Sequence, residues 1–454
     1  MSVKHQWILW MIVTVCLLAY FTLSLTRQPG GMAQTFLPGV TTHGHYQIEM
    51  QCLVCHTPGM GVKQESCMDC HGADLKRSTD THPRSKFTDP GKMHLLTKLD
   101  ARHCTTCHQE HVPDRTLAMG LSLPKDYCWH CHQEVGEQRP SHADFAYDSC
   151  ATAGCHNYHD NRALFENLLV EHHGEPAMLE KQLVEPRNFG DSWQARYSES
   201  RKTLAAEEND APEGLGYDEQ ISTDWAATAH AAASVNCSGC HTSEELEWTN
   251  HPTHESCGAC HDSQVAGFLE GRHGMRLAQG LSPMTPSAAR LPMYATNGHA
   301  ELTCSACHTP HKYDTAYAAV DACVKCHADE HSTAYLDSPH YDLWQSELAG
   351  EGKPGSGVSC ATCHLPRLKN AEKETFVQHN QNDNLRPNEK MVESICHQCH
   401  GLQFSLDALA DEVLIKNNFQ GEPEVHVESL DMAKHWFDER ARLREEAKQK
   451  REGG

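Results

Sequence analysis

The sequence predicts a mainly α-helical chain with much irregular structure and little β. Three observations lead there. One cysteine-and-histidine pattern recurs eleven times. The chain is poor in core-forming side chains, at 39% hydrophobic and 7% aromatic residues. Its mean hydropathy is −0.60 even with an apolar N-terminal stretch counted. A chain of 454 residues is long enough for two or three domains, yet this composition does not furnish the cores they need. The missing apolar mass has to come from groups that the recurring pattern binds.

Ten copies of the pattern read Cys-x-x-Cys-His. Four stand in the first part: Cys52, Cys55 and His56; Cys67, Cys70 and His71; Cys104, Cys107 and His108; Cys128, Cys131 and His132. Six stand in the second: Cys237, Cys240 and His241; Cys257, Cys260 and His261; Cys304, Cys307 and His308; Cys323, Cys326 and His327; Cys360, Cys363 and His364; Cys396, Cys399 and His400. The eleventh, Cys150, Cys155 and His156, has four residues between its cysteines. Together they use 22 of the 23 cysteines. A Cys-x-x-Cys pair alone fits half a zinc site or a redox dithiol. Neither needs His directly after the second Cys. The pattern with that His is the attachment site of c-type haem, the two thiols forming thioethers and the His lying under the ring as an iron ligand. About eleven haem c groups are therefore expected. They are large apolar plates that take the place of aliphatic core, with short helices and irregular segments wrapped around them.

Each further element follows from local sequence. Trp7 to Leu25 is nineteen residues without a charge. At ~1.5 Å per residue that helix spans the hydrocarbon layer, whereas a secretory h-region is about 7–15 residues. Residues 1–28 are read as a signal anchor, with cleavage after Ala33 and secretion as the alternative. Haem attachment of this kind takes place outside the cytoplasmic membrane, so the rest of the chain is expected in the periplasm. Cys16 is an apolar residue of the span. Residues 29–175 form a five-motif domain, and the helix expected at Arg162 to His173 closes it. The acidic run Ala205 to Gln220 reads as a solvated linker within residues 176–225. Residues 226–405 form a six-motif domain. Residues 406–454 form a helical tail, with one helix at Leu406 to Ile415 and another from Ser429 to about Lys450 that covers the haem domain with a solvated outer face.

The formal charge is −23. That balance argues against nucleic acid and anionic lipid as partners. It suits redox proteins, a donor and an acceptor, that dock through a basic face.

Of 35 histidines, eleven are used as proximal ligands, leaving 24. Saturating every iron with a second imidazole needs only eleven of these. His111, His159 and His311 follow a motif as His-x-x-His, a spacing that turns the second ring toward a neighbouring haem. The other candidate distal ligands of the first cluster are His43 or His45, His82, His94 and His142. Those of the second are His230, His254, His273, His299, His331, His340 and His379. His130 and His397 lie inside motif loops, and His426 and His435 lie in the tail. His5 precedes the span and is excluded. A bis-histidine iron passes single electrons and has no position for substrate, whereas a catalytic haem needs an open sixth position.

The second cluster resembles the hydroxylamine-oxidoreductase-like multihaem cytochromes. The resemblance rests on HESCGACHDSQVAGFLEGRHG, CVKCHADEHSTAYLDSPHYDLW, CATCHLPR with VQHN, and ICHQCHGLQF, between roughly Asp224 and Leu409. It implies distal-ligand roles for His331 and His340. The family's octahaem enzymes carry eight motifs against six here, and no catalytic haem, acid or base maps onto a position of this chain. The first cluster is similar to cytochrome c3/c7-like and pentahaem electron-transfer modules, through CTTCHQEH, PSHADF and CATAGCHNYH. That likeness implies bis-histidine electron carriers. The expected function is that of a membrane-tethered undecahaem cytochrome relaying electrons between redox partners. An enzyme acting on a nitrogen or sulfur oxyanion at one open haem, and a secreted polymerising conductor, are the alternatives.

Overall fold

Each described motif folds on its own into about one helical turn. The histidine N–H donates to the carbonyl of the first cysteine, as from His108 to Cys104 at 2.9 Å, His308 to Cys304 at 2.9 Å and His400 to Cys396 at 2.8 Å. Residues three and four apart share one face of such a turn, so both sulfurs and the imidazole emerge on the same side. The repeated unit of the architecture is thus a turn presenting three haem-binding groups.

The computed structural model describes residues 2–26, 37–78, 80, 82–139, 142–143, 158–159, 166–180, 202–242, 247–369, 373 and 375–452. The motif at Cys150, Cys155 and His156 lies outside these residues, as does the side chain of His43. Contacts divide the chain into two compact units, residues 1–131 and 132–454.

In the first unit, α1 (Val3–Thr26) is 24 residues long. By length and composition its stretch Val3–Leu23 is able to cross a bilayer, a test that a signal sequence near the N-terminus also passes. The hairpin β1 (His56–Thr57) and β2 (Gly61–Val62) follows the first motif. α2 (Gln64–Arg77) carries the second motif along its length.

The second unit has α3 (Glu166–Glu171), within the stretch where the sequence predicts a helix; residues 160–165 lie outside the described set. α4 (Glu219–Ala226) and α5 (Asp262–Glu270) flank the sixth and seventh motifs. α6 (Pro339–Leu348) begins at Ser338, whose hydroxyl accepts from the Tyr341 N–H as an N-cap. The hairpin β3 (Arg367–Lys369) and β4 (Thr375–Val377) pairs Leu368 with Phe376. With β1 and β2 these are the only named strands among the described residues, and the fold is mainly α as the composition predicts.

The tail differs in one detail. The apolar stretch that reads as a single helix is two, α7 (Leu402–Ala410) and α8 (Glu412–Lys416). Asp411 breaks it because its carboxylate accepts from the Val413 and Leu414 N–H groups, both at 3.0 Å, and starts a new helix. α9 (Ser429–Glu452) ends the chain. Its first turn buries Leu430 and Ala433 against Leu169 of α3 and Leu402, Leu406 and Leu409 of α7, while its last turns are exposed. A second small cluster holds Ala319, Val320, Tyr335 and Trp344.

The acidic run that reads as a linker is instead docked. Leu204 N–H donates to Ala231 O at 3.1 Å. Asn236 Nδ2 donates to Glu208 O at 2.8 Å, and Ser238 N–H donates to Asp210 Oδ1 at 2.9 Å. Trp225 is buried, its indole N–H on Val235 O at 3.1 Å. The acidic residues are exposed, Asp210 also bonding Ser238, while the backbone wraps the sixth motif, which is why charge alone reads as a linker.

Candidate haem-binding sites

Eight motif histidines face a second imidazole. In the first unit His56 faces His111 with ring centroids 6.4 Å apart, and His71 faces His45 at 5.9 Å. In the second unit His241 faces His311 at 6.0 Å, His261 faces His230 at 5.9 Å and His308 faces His379 at 6.3 Å. His327 faces His273 at 6.3 Å, His364 faces His331 at 6.1 Å and His400 faces His340 at 6.3 Å. An imidazole nitrogen sits about 2.0 Å from a bound transition-metal ion and roughly 1.1 Å from its own ring centre, so two rings on opposite sides of one metal have centroids about 6.2 Å apart. The spacing in all eight pairs fits one iron between the rings. Over the six motifs from Cys237 to Cys399, each imidazole has such a partner.

Hydrogen bonds hold the rings in the tautomer this needs. Nδ1 of His241 bonds Thr249 O at 2.7 Å, and that of His400 bonds Ala177 O at 3.0 Å. Among the facing rings, Nδ1 of His111 bonds Gly39 O at 2.8 Å, that of His379 bonds Val377 O at 2.9 Å and that of His331 bonds Ile415 O at 2.5 Å. A proton placed on Nδ1 leaves the Nε2 lone pair for the metal; in His331 that Nε2 instead lies 3.2 Å from Asn418 Nδ2. His45 bonds Glu110 at 2.7 Å instead. Burial pushes the Glu110 carboxyl up, but hydrogen bonds from His45 and Thr42 outweigh it and hold it at about 2. Burial, reinforced by neighbouring imidazoles, pushes His273, His308, His340 and His364 down to about 4. These four rings are neutral at ordinary pH, the form that can donate a lone pair.

The cysteine sulfurs, thiols in this structure, stand for the thioether sulfurs of attached haem. Those of successive motifs adjoin. Cys67 and Cys104 are hydrogen-bonded through their side chains, as are Cys257 with Cys304 and Cys323 with Cys360. Cys55 with Cys70, Cys240 with Cys257, Cys307 with Cys323 and Cys363 with Cys399 lie close enough to interact electrostatically. The attachment points therefore run in chain order, over the first three motifs in one unit and over all six from Cys237 to Cys399 in the other. Phe419 stands edge-on to both His331 and His340, 6.2 Å from each, closing the space beside the last two pairs.

One ligand scheme occurs twice. His45 and His230 each stand seven residues before a motif, at Cys52 and Cys237, and each faces the histidine of the following motif. His111 and His311 each follow a third motif as His-x-x-His and face the histidine of the first. Both have φ of 64°. The sulfur contact between Cys67 and Cys104 recurs between Cys257 and Cys304. Residues 45–111 and 230–311 are thus two copies of one three-motif arrangement. The seven-residue offset was the signal for it in the sequence, and it marks His45 and His230 over their neighbours.

Not every candidate is brought to a motif. Among the described residues His254 and His299 have no motif imidazole opposite them, and the six motif rings from His241 to His400 are already faced. His82, His94, His142 and His159 stay expectations from the sequence.

Two known families match the chain. Residues 44–133 match the cytochrome c3 family and residues 327–450 match cytochrome c552. The chain is a multihaem c-type cytochrome. This cytochrome is also 23% identical over 179 residues to cytochrome c-552 of Haemophilus ducreyi (strain 35000HP / ATCC 700724), a stretch covering 35% of this chain and 34% of that relative. The match thus spans about a third of that protein. No solved structure matches. The cytochrome c3 match begins at the first copy of the repeated arrangement and runs on through the fourth motif, and the second copy lies between the two matched regions.

Proposed function

We propose that this cytochrome carries electrons one at a time along an ordered series of eleven bis-histidine haems in the periplasm, between a donor and an acceptor protein. The observation that carries the reading is the run of six motifs from Cys237 to Cys399, where every motif imidazole faces another across a gap that suits one iron. Haem iron held in this way supplies a one-electron Fe(III)/Fe(II) couple. The protein's part is to set ligands, spacing and exposure. The paired imidazoles would hold the six irons of these motifs from both sides and leave none of them a site for substrate. Carbonyl partners on Nδ1 fix ring orientation, so little geometry changes when charge moves. Adjoining sulfurs from Cys237 to Cys399 bring successive macrocycle edges together in chain order.

The charge of −23 favours partners with a basic docking face. α1 would keep the chain at the cytoplasmic membrane, and the alternative role for that segment is as a leader that is removed. The test is voltammetry of the haem-loaded protein on an electrode. A broad reversible one-electron envelope is expected, unchanged by nitrite or hydroxylamine. A catalytic current on adding either compound would overturn the relay reading.

A further inference from the structure

A group outside the haem ligand set converges beside the last motif. His172 Nδ1 lies 2.6 Å from Glu175 Oε1, and His397 Nε2 lies 2.9 Å from Glu175 Oε2. The two rings are perpendicular, at 84° with centroids 4.4 Å apart. That is too close to flank a haem iron, yet the ligand atoms of all three residues lie within 4.8 Å of one another. The side chains are 21%, 23% and 20% exposed, sheltered but open to an ion.

The scaffold under this group is tightly laced. His172 opens the turn after α3, His397 sits between Cys396 and Cys399, and the Leu402 N–H at the start of α7 donates to Glu175 Oε2 at 3.1 Å. Leu179 N–H donates to Cys399 O at 2.8 Å. A Cβ on Gly401 would meet Pro176 O at 2.5 Å, so the backbone of residues 175–179 presses directly on the end of the motif.

We propose that His172, Glu175 and His397 form a site for one divalent first-row transition-metal ion, of the zinc type. Around such an ion nitrogen and oxygen donors sit at about 2.0–2.2 Å, which puts neighbouring donors of a tetrahedral site roughly 3.3–3.6 Å apart. The observed group needs only a slight opening to reach that. Two imidazoles and a carboxylate select such an ion over calcium or magnesium, which take oxygen ligands. Three protein donors leave a position for water. The ion ties the segment after α3 to the loop of the last haem motif, which hydrogen bonds alone hold in its absence.

The test uses the haem-loaded chain dialysed against zinc, with free zinc held low by a weak chelator. Zinc and iron are then measured together, iron serving as the internal count of chains. The wild type is expected to retain one tightly held zinc per chain. His172→Ala and Glu175→Gln are each expected to lose that one equivalent with iron content unchanged; the second variant keeps a hydrogen-bond acceptor and so the local fold. Zinc-edge X-ray absorption should show two imidazoles. Wild-type protein that retains no zinc, or variants that retain as much as the wild type, would overturn the site and leave a hydrogen-bonded clamp.

Discussion

Replacing His273 with alanine leaves the iron on His327 without its facing imidazole, and one haem of the chain becomes high-spin. His273 is the ring to choose because it lies opposite His327 at 6.3 Å and because the His327 pair is interior to the series from Cys237 to Cys399. After reduction the variant gains one bound carbon monoxide per chain over the wild type, at the haem of the Cys323 motif. Electron passage along the second unit slows roughly tenfold or more, since an iron that changes ligation with oxidation state must reorganise. His273→Met restores a sixth ligand and low spin. His299→Ala leaves the spectrum unchanged, because that ring is exposed and faces no motif histidine. The check is absorption and magnetic circular dichroism with a carbon monoxide titration.

The tail gives the second large effect. Leu430 is 0% exposed at the start of α9 and packs with Leu169, Leu402, Leu406 and Leu409. Truncating such a side chain to alanine costs about 2–5 kcal/mol. Leu430→Ala should lower the denaturant midpoint of the second unit accordingly. Leu443→Ala, 48% exposed on the same helix, should stay within about 0.5 kcal/mol of the wild type. The consequence reaches a candidate haem ligand, His331. Ile415 and Asn418 hold His331, with Asn418 Nδ2 donating to His331 O at 3.1 Å, and Phe419 packs against this same core. A tail that merely covered the surface would show no difference between the two leucines.

The parts of this protein that are local in the chain are legible in its sequence. The motif turn is one, because a histidine directly after the second cysteine closes it without outside help. His111 and His311 are others, because His-x-x-His sets their distance from a motif. The mainly α reading follows from the same short-range logic. Ligand pairing is not legible in this way. His273 and His379 lie 54 and 71 residues from His327 and His308, and only the packed chain brings them opposite those rings. The acidic run at 205–220 misleads because its side chains announce solvent while its backbone is bonded to the sixth motif. The group at Glu175 is invisible for a similar reason, since its two histidines are 225 residues apart. The motif at Cys150, Cys155 and His156 rests on its sequence alone.

The central claim is that the axial positions are filled by imidazole pairs, and electron paramagnetic resonance of the oxidised protein tests it most directly. The expected spectrum is entirely low-spin. It should contain rhombic signals from near-parallel pairs such as His241 and His311, at 7°, and large-g signals from crossed pairs such as His261 and His230, at 89°. A high-spin signal that shifts on adding nitrite or hydroxylamine would contradict it.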